Sequence, residues 1–215
     1  MAGRDRYQVK EIFGPTLQGE GLHQGWPCLF LRLAGCNAWD GRPETRAGSA
    51  CPYCDTDFRG GDALTVEDLL ARLDVLKAGR EHLGLVLTGG EPLLQADARL
   101  ITALADQFPW IDLETNGTRA CPAKPGNLFI SCSPKAIPGQ DIVIEPDWWK
   151  ILIPAQDIFL AHALTSGKPV FVQPVCPDAG PSGTNYQTAL KRCLDLCHEH
   201  GCRLSLQMHK IVGIP

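Results

Sequence analysis

Three cysteines are the residues of this chain best suited to joint chemistry. Cys36, Cys51 and Cys54 read C-x14-C-x2-C, with Pro52 and Tyr53 inside the closing pair. Three thiolates leave one metal position open, which suits a catalytic rather than a structural centre. A zinc site would need a fourth ligand, such as Cys28 or a distant histidine. An iron–sulfur cluster is a second metal reading. A dithiol redox pair is a third, but its first thiolate should sit at a helix N-terminus that lowers its pKa. Gly60 and Gly61 follow too soon for a helix.

Of the ten cysteines, Cys28, Cys121, Cys132 and Cys176 show no ligand spacing. Cys193 and Cys197 stand i, i+4 beside Leu190 and Leu194, on what reads as the apolar stripe of a helix, where cysteine acts as a small hydrophobe. A rival reading joins Cys193, Cys197, His198, His200 and Cys202 into a second metal site. Helical spacing puts the two histidines on different faces. A further constellation is Gly89-Gly90-Glu91-Pro92, where a glycine pair lets backbone approach a ligand and Glu91 offers a counter-charge. The same four residues also read as a strand-to-helix turn with Pro92 at the helix entry.

These groups need a scaffold, and the 215 residues suffice for one domain, 1–215, with an insertion at 37–50. Apolar residues at 44% and charged residues at 20% exclude disorder and coiled coil. A net charge of −4 argues against a broad nucleic-acid surface. No apolar run is long enough to span a membrane, and Met1 to Lys10 carries no secretory pattern. A reducing, cytoplasmic setting is expected.

Short apolar runs alternate with amphipathic stretches, the pattern of an α/β fold with a parallel sheet. Strands are predicted at Cys28–Ala34, Leu83–Thr88, Trp110–Glu114, Asn127–Cys132, Trp149–Ile153, Val170–Gln173 and Arg203–Gln207. A first helix is capped by Thr65 with Asp68 three residues on, carries the stripe Val66, Leu69, Leu70, Leu73, Leu76, and ends at Gly79. Others are predicted near Ala96–Phe108, Ala155–Ser166 and Asn185–His200. The spacer Thr115–Gly126 has no helical stripe, and the chain is short of the ~250 residues of a full β/α barrel. A partial, shortened parallel barrel of about six core strands is expected. Its site should form at the C-terminal strand ends, where Thr88–Glu91, Glu114–Gly117, Ser131–Ser133 and Gln173–Pro174 fall.

The cysteine triplet, with Tyr53 before its last member, and the Gly-Gly-Glu-Pro segment resemble radical S-adenosylmethionine (SAM) enzymes. The usual spacing in those enzymes is C-x3-C-x2-C, and this chain departs from it by its fourteen-residue segment Asn37 to Ala50. Thr16-Leu17-Gln18-Gly19-Glu20-Gly21, Phe30 to Asn37, Cys54-Asp55-Thr56 and the closing Gln207 to Pro215 narrow the likeness. Together they resemble the 7-carboxy-7-deazaguanine synthase family, from near Tyr7 to the last residue, and some members of that family carry a similar insertion.

The resemblance implies a lyase that converts 6-carboxy-5,6,7,8-tetrahydropterin to 7-carboxy-7-deazaguanine with loss of ammonia, in the making of queuosine and other 7-deazapurines. It implies a 4Fe-4S cluster on Cys36, Cys51 and Cys54, with the open iron taking the methionine end of SAM. Gly90 and Glu91 would hold that end; Ser131, Ser133 and Gln173, assisted by Asn116, would hold the nucleoside end. Leu17, Gln18, Gly19 and Thr88 would contact the pterin, and Arg32 would pair its carboxylate. Thr56 would offer its hydroxyl to Mg2+, with Asp55 joining through water. His209 and the terminal carboxylate of Pro215 would close over the pterin. No catalytic side chain is implied beyond the cofactor-held radical, which would take hydrogen from C6, return it, and so recycle SAM. A flavodoxin- or ferredoxin-type electron donor and a homodimer complete the expectation.

Each residue also has a plain reading. Arg32 between Leu31 and Leu33 fits the solvent face of a strand, Thr56 a turn, Gln18 a loop, and the tail a frayed terminus. Ile211, Val212 and Ile214 are apolar and suggest a docked tail. An enzyme that makes a glycyl radical on a partner protein and a zinc-binding, non-enzymatic module stay open as rivals.

Overall fold

The computed structural model describes residues 4–176 and 180–215. Chain order begins with β1 (Tyr7–Leu17), β2 (Pro27–Leu33), β3 (Asp62–Leu64), α1 (Val66–Lys77), β4 (Gly84–Gly89) and α2 (Ala98–Ala105). It continues with β5 (Ile111–Thr115), β6 (Leu128–Cys132), β7 (Trp148–Ile153), α3 (Leu160–Thr165) and β8 (Val170–Pro174), and closes with α4 (Thr184–His200), β9 (Arg203–Leu204) and α5 (Met208–Val212). One nine-stranded sheet has the order β3-β1-β2-β4-β5-β6-β7-β8-β9. Every pairing from β2 to β9 is parallel, while β1 runs antiparallel to both β2 and β3. The α/β class and the open parallel barrel stand, with seven parallel strands instead of about six, extended at one edge by the antiparallel β1 and by β3 paired against it.

The sequence pattern gave no sign of β1. Its alternation breaks twice, between Val9 and Glu11 and between Phe13 and Thr16, where the register with β2 shifts. A bulge resets which face each side chain meets, so a period of two cannot be read through it. The predicted strand at Arg203–Gln207 shrinks to two residues. The helix expected at Ala96–Phe108 is shorter at both ends; its start is fixed by Asp97, which caps it by accepting from the Leu100 amide. The one expected at Ala155–Ser166 splits into a 3-10 turn, Asp157–Phe159, and a six-residue helix. Neither β5–β6 nor β6–β7 is bridged by a helix.

Residue parity sorts the parallel strands into two faces. Leu29, Leu31, Leu33, Leu85, Leu87, Ile111, Leu113, Ile151, Ile153 and Val172 turn outward and pack with the helices. Their partners include Val66, Leu69 and Leu73 of α1, Leu100, Ile101 and Leu104 of α2, and Cys193 and Leu196 of α4. Helix α1 holds its start through a capping box, Thr65 Oγ1 accepting from Asp68 N and Asp68 from Thr65 N, each at 3.1 Å, an arrangement that stabilises by about 1 kcal/mol. In α4 the buried stripe is Tyr186, Ala189, Cys193 and Leu196; Leu194 is exposed.

The alternate residues point into the barrel. Its lower layer is apolar and aromatic, with one polar pair at the centre. His23 Nδ1 lies 2.7 Å from Asp112 Oδ1, both buried. The His23 ring stacks on Trp110 at 4.6 Å and meets Trp26 and Phe129 at 4.8 and 4.9 Å. The layer above holds Phe30, Arg32, Thr88, Glu114, Lys150 and Gln173. Among the described residues no helix is long and apolar enough to cross a membrane.

Candidate active site

The upper layer opens into a cavity of about 710 Å³ at the C-terminal strand ends, within the range of sites that enclose whole ligands, about 300–1,000 Å³. Cys36, Cys51 and Cys54 line it. The three cysteines gather in one nest with Ala38, Ala50, Tyr53 and Ile137, and none is in a disulfide. The Cys51 thiol hydrogen-bonds Cys54 and draws the Cys54 sulfur down to about 6 against the pull of burial. That same bond, with burial, pushes Cys51 up. Burial also raises Cys36.

The long spacing resolves in space. Ala50 N donates to Ala38 O at 3.2 Å, so residues 37–50 leave and return at nearly one point, and Cys36 and Cys51 meet as they would across a short loop. The donor set fits a cluster held by three thiolates: soft sulfur ligands packed in one nest and lining a shared cavity. Cys28, the suggested fourth ligand for zinc, lies at the far end of β2, paired with Gly84 and packed on Val86 and Trp110. Among the described residues no three of His, Cys, Asp and Glu surround a single ion. The second metal site does not assemble: Cys193 and Cys202 are buried in the core, and His198 and His200 are exposed.

Gly90 passes so close to the cysteine loop that a Cβ there would fall 2.4 Å from Gly35 O and 2.5 Å from Cys36 Cβ. Glu91 does not reach the cavity wall. Its buried carboxylate accepts from Asn116 N at 2.6 Å, Thr115 Oγ1 at 2.9 Å and Leu93 N at 3.0 Å, and burial raises its pKa. Glu91 therefore ties the Gly-Gly turn to the end of β5. Asn116 and Gln173 line the cavity, the latter accepting from Ser205 Oγ at 2.7 Å. Ser133 also lines it, receiving bonds from Lys135 Nζ and Gln156 Nε2 at 3.0 Å each. Ser131 is buried within β6 and does not line it.

Arg32 is not on a solvent face. It pairs in register with Thr88 on β4, its side chain is 18% exposed, and its Nε donates to Glu11 Oε1 at 2.7 Å. Among the described residues the other guanidinium nitrogens have no hydrogen-bond partner. Thr88 Oγ1 donates to Glu114 Oε2 at 3.0 Å. Glu114 and Glu20 flank Lys150, whose Nζ lies 3.6 and 2.5 Å from their carboxylates. Burial pushes the Glu20 carboxyl up, but Lys150 beside it brings it below the ordinary range. Burial lowers Lys150, and Glu114 and Glu20 raise it further.

Gln18 is almost wholly buried; its amide donates to Asp112 at 3.1 Å and accepts from Glu20 N at 3.3 Å. Leu17 and Gln18 line the cavity, and Gly19 lies under His209, where a Cβ would meet Nδ1 at 2.3 Å. Thr56 lines the wall with its hydroxyl unbonded among the described residues. Asp55 is taken by the tail: Lys210 Nζ lies 2.6 Å from it and Gln207 donates at 3.3 Å. The tail docks through these bonds, through Met208 N to Gly19 O at 3.1 Å, and through Thr16 Oγ1 to Pro215 O at 3.0 Å. Its apolar residues are not the anchor, since Ile211 and Val212 are half exposed.

Sequence reasoning missed Glu20, Lys135, Lys150 and Gln156 as members of this cavity or its wall. Lys150 had a signal: a lysine inside an otherwise apolar parallel strand, Trp148–Ile153, needs buried partners. Lys135 stands over the Tyr53 ring at 5.8 Å, with burial lowering its pKa.

Residues 47–215 match the profile of the Radical SAM superfamily. The chain is 42% identical to the 7-carboxy-7-deazaguanine synthase of Bordetella pertussis, over 97% of this chain and 99% of that one. It is 39% identical to the synthase of the same name from Burkholderia multivorans, with the same coverage. The crystal structure of QueE from Escherichia coli superposes with a TM-score of 0.70 at 26% identity, covering 95% of each chain. A cavity that joins three cysteines to a glycine-lined turn, carried on a sheet shared with that structure, agrees with these likenesses, and the chain belongs to the radical SAM superfamily and, within it, to the 7-carboxy-7-deazaguanine synthase family.

Proposed function

We propose that this chain converts 6-carboxy-5,6,7,8-tetrahydropterin to 7-carboxy-7-deazaguanine with loss of ammonia, on the route to queuosine and other 7-deazapurines. One observation carries the reading: a single cavity is lined at once by the cysteine trio and by Arg32, Thr88, Glu114 and Lys150. When bound, a 4Fe-4S cluster on the trio supplies the electron that cleaves SAM and generates the hydrogen-abstracting radical.

The chain's residues bind and orient. Gly90 gives the methionine end of SAM a close approach to backbone; Asn116, Ser133 and Gln173 face its nucleoside end, and Glu91 acts by holding Asn116. Arg32 offers its free fork to the pterin carboxylate, a geometry lysine cannot reproduce. Glu20, kept ionised by Lys150, and Glu114 beside it accept from the amino and N–H edge of the pterin. Thr56 supplies one oxygen to Mg2+, an ion that keeps most of its waters. His209, seated on Gly19, closes the cavity and helps exclude water. Fixing the carboxylate by Arg32 and Mg2+ determines which hydrogen meets the radical. A flavodoxin- or ferredoxin-type donor, a homodimer and a cytoplasmic setting belong to the same proposal by family likeness.

The test is anaerobic: reconstituted protein, SAM, reductant, Mg2+ and the tetrahydropterin, with product followed by mass spectrometry. Formation of carboxydeazaguanine is expected. SAM cleavage without that product would reject the substrate and keep the superfamily chemistry.

A further inference from the structure

Residues 37–50 do more than leave and return. They fold as an excursion around Trp39, whose Nε1 donates to Arg42 O and Thr45 Oγ1 at 3.1 Å each and whose ring meets Phe58 edge-on at 5.7 Å. A 3-10 helix, Pro43–Gly48, carries Arg46 back toward the cysteines. Its guanidinium lies 5.6 Å over the Trp39 ring, and Nη2 donates to the backbone carbonyl of Cys54. The Arg46 carbonyl accepts from Ser49 N and, at 2.8 Å, from Ser49 Oγ, and that oxygen accepts from Cys51 N at 3.2 Å. One residue of the excursion is thus tied to both later cysteines.

Two features leave this tie with work undone. Arg46 Nε is buried and has no hydrogen-bond partner among the described residues; an orphaned donor of this kind costs about 1–3 kcal/mol unless something else accepts from it. No carboxylate pairs with Arg46 among the described residues. The other cation near the trio, Lys135, donates to Ser133 at 2.8 and 3.0 Å. The nearby acids are engaged elsewhere, Asp55 by Lys210 and Asp57 by Lys10, each at 2.6 Å.

We propose that Arg46 tunes the cluster electrostatically, its unneutralised guanidinium at the Cys54 carbonyl raising the cluster's reduction potential. This rests on ligation by Cys36, Cys51 and Cys54. Potentials of such clusters follow local charge and hydrogen bonding, and a cation stabilises the reduced form, which carries one more negative charge. The inserted segment would then set how readily the cluster accepts its electron.

The experiment is a dithionite titration of the reconstituted protein, without pterin, followed by electron paramagnetic resonance, with iron measured in each sample. Arg46→Met is expected to lower the midpoint by about 60 mV or more, the one-electron equivalent of a tenfold change in the equilibrium. Arg46→Lys should stay within threefold of the parent in that equilibrium. A fully loaded Arg46→Met with an unchanged midpoint would overturn the proposal. Should that variant not retain iron, Arg46→Gln is read in its place, being neutral yet able to donate to the Cys54 carbonyl. A tenfold fall supports the assignment and a parental midpoint rejects it. The readout needs no substrate turnover, so its failure and failure of the pterin reaction are separate results.

Discussion

Asn116 Nδ2 donates to Asn37 Oδ1 at 2.7 Å, joining the residue that follows the first cysteine to the residue that follows β5. Asn37 in turn donates to Thr118 Oγ1 and Gln140 Oε1 at 2.8 Å each. The loop that carries Cys36 and the turn proposed to face SAM are therefore one hydrogen-bonded body. Loss of a part-buried bond of this kind costs on the order of 1 kcal/mol. Asn37→Ala should weaken SAM binding about tenfold by calorimetry while iron content stays at the parental level. Combined with Asn116→Ala, the loss should fall short of the product of the two single effects. Full multiplicativity would show the two asparagines acting apart.

The cysteines divide by environment. Replacing Cys36, Cys51 or Cys54 with alanine should abolish iron retention after anaerobic reconstitution. Cys193→Ala should retain all of it and lose about 1 kcal/mol of stability, because Cys193 fills a fully buried position beneath β8. Iron per chain and urea midpoints decide this. Iron loss in the Cys193 variant would break the division.

Thr56 has a hydroxyl without a hydrogen-bond partner among the described residues at the cavity wall, and its own carbonyl lies 3.9 Å from Cys54 Sγ. Thr56→Ala removes the hydroxyl and leaves that carbonyl in place. Activity should lose its dependence on Mg2+, or fall at least tenfold, with the cluster's absorbance preserved. Equal turnover with an unchanged response to Mg2+ would remove Thr56 from the metal site.

Lys150 pairs two part-buried acids, and its removal leaves Glu20 without its partner. Lys150→Met should cost about 3–5 kcal/mol in urea unfolding at pH 7. In the parent, Glu20 contributes stability above the ordinary carboxylate value of 4.5 and loses it as pH falls through its lower folded value. Lys150 contributes below 10.5 and loses it only as pH climbs past its raised value. The pair thus acts between those limits. Without Lys150, burial alone governs Glu20 and favours its protonated form. The gap between parent and variant should narrow as pH drops from 7 toward 4. A constant gap would contradict the pairing.

How much of this was legible in the sequence follows from how local each feature is. Most of the parallel strands were readable because their outward residues are largely leucine, isoleucine and valine at alternate positions, and the α1 cap because Thr65 and Asp68 are three residues apart; β9, with two residues, carries no such pattern. Strand β1 was hidden by its bulges. The Gly90 approach could be anticipated from the glycine pair, whereas the inward turn of Glu91 could not, since its partners Thr115 and Asn116 lie about two dozen residues away. Arg32 fitted a solvent face because a period of two does not say which face is wet; the sheet's curvature put that face inside. The tail was expected to dock and does, but by Lys210 and Gln207 on Asp55, a contact across some 150 residues that no apolar pattern foretells.

The hydrogen bond between Ala38 and Ala50 has a consequence for how such sites are recognised. What the metal centre feels is the gap between two attachment points on the backbone, and that gap is indifferent to the length of chain stored behind it. A motif defined by counting letters measures contour length, a quantity the coordination sphere never samples. A loop closed at its base in this way can differ in length without shifting the backbone positions of the two cysteines it separates.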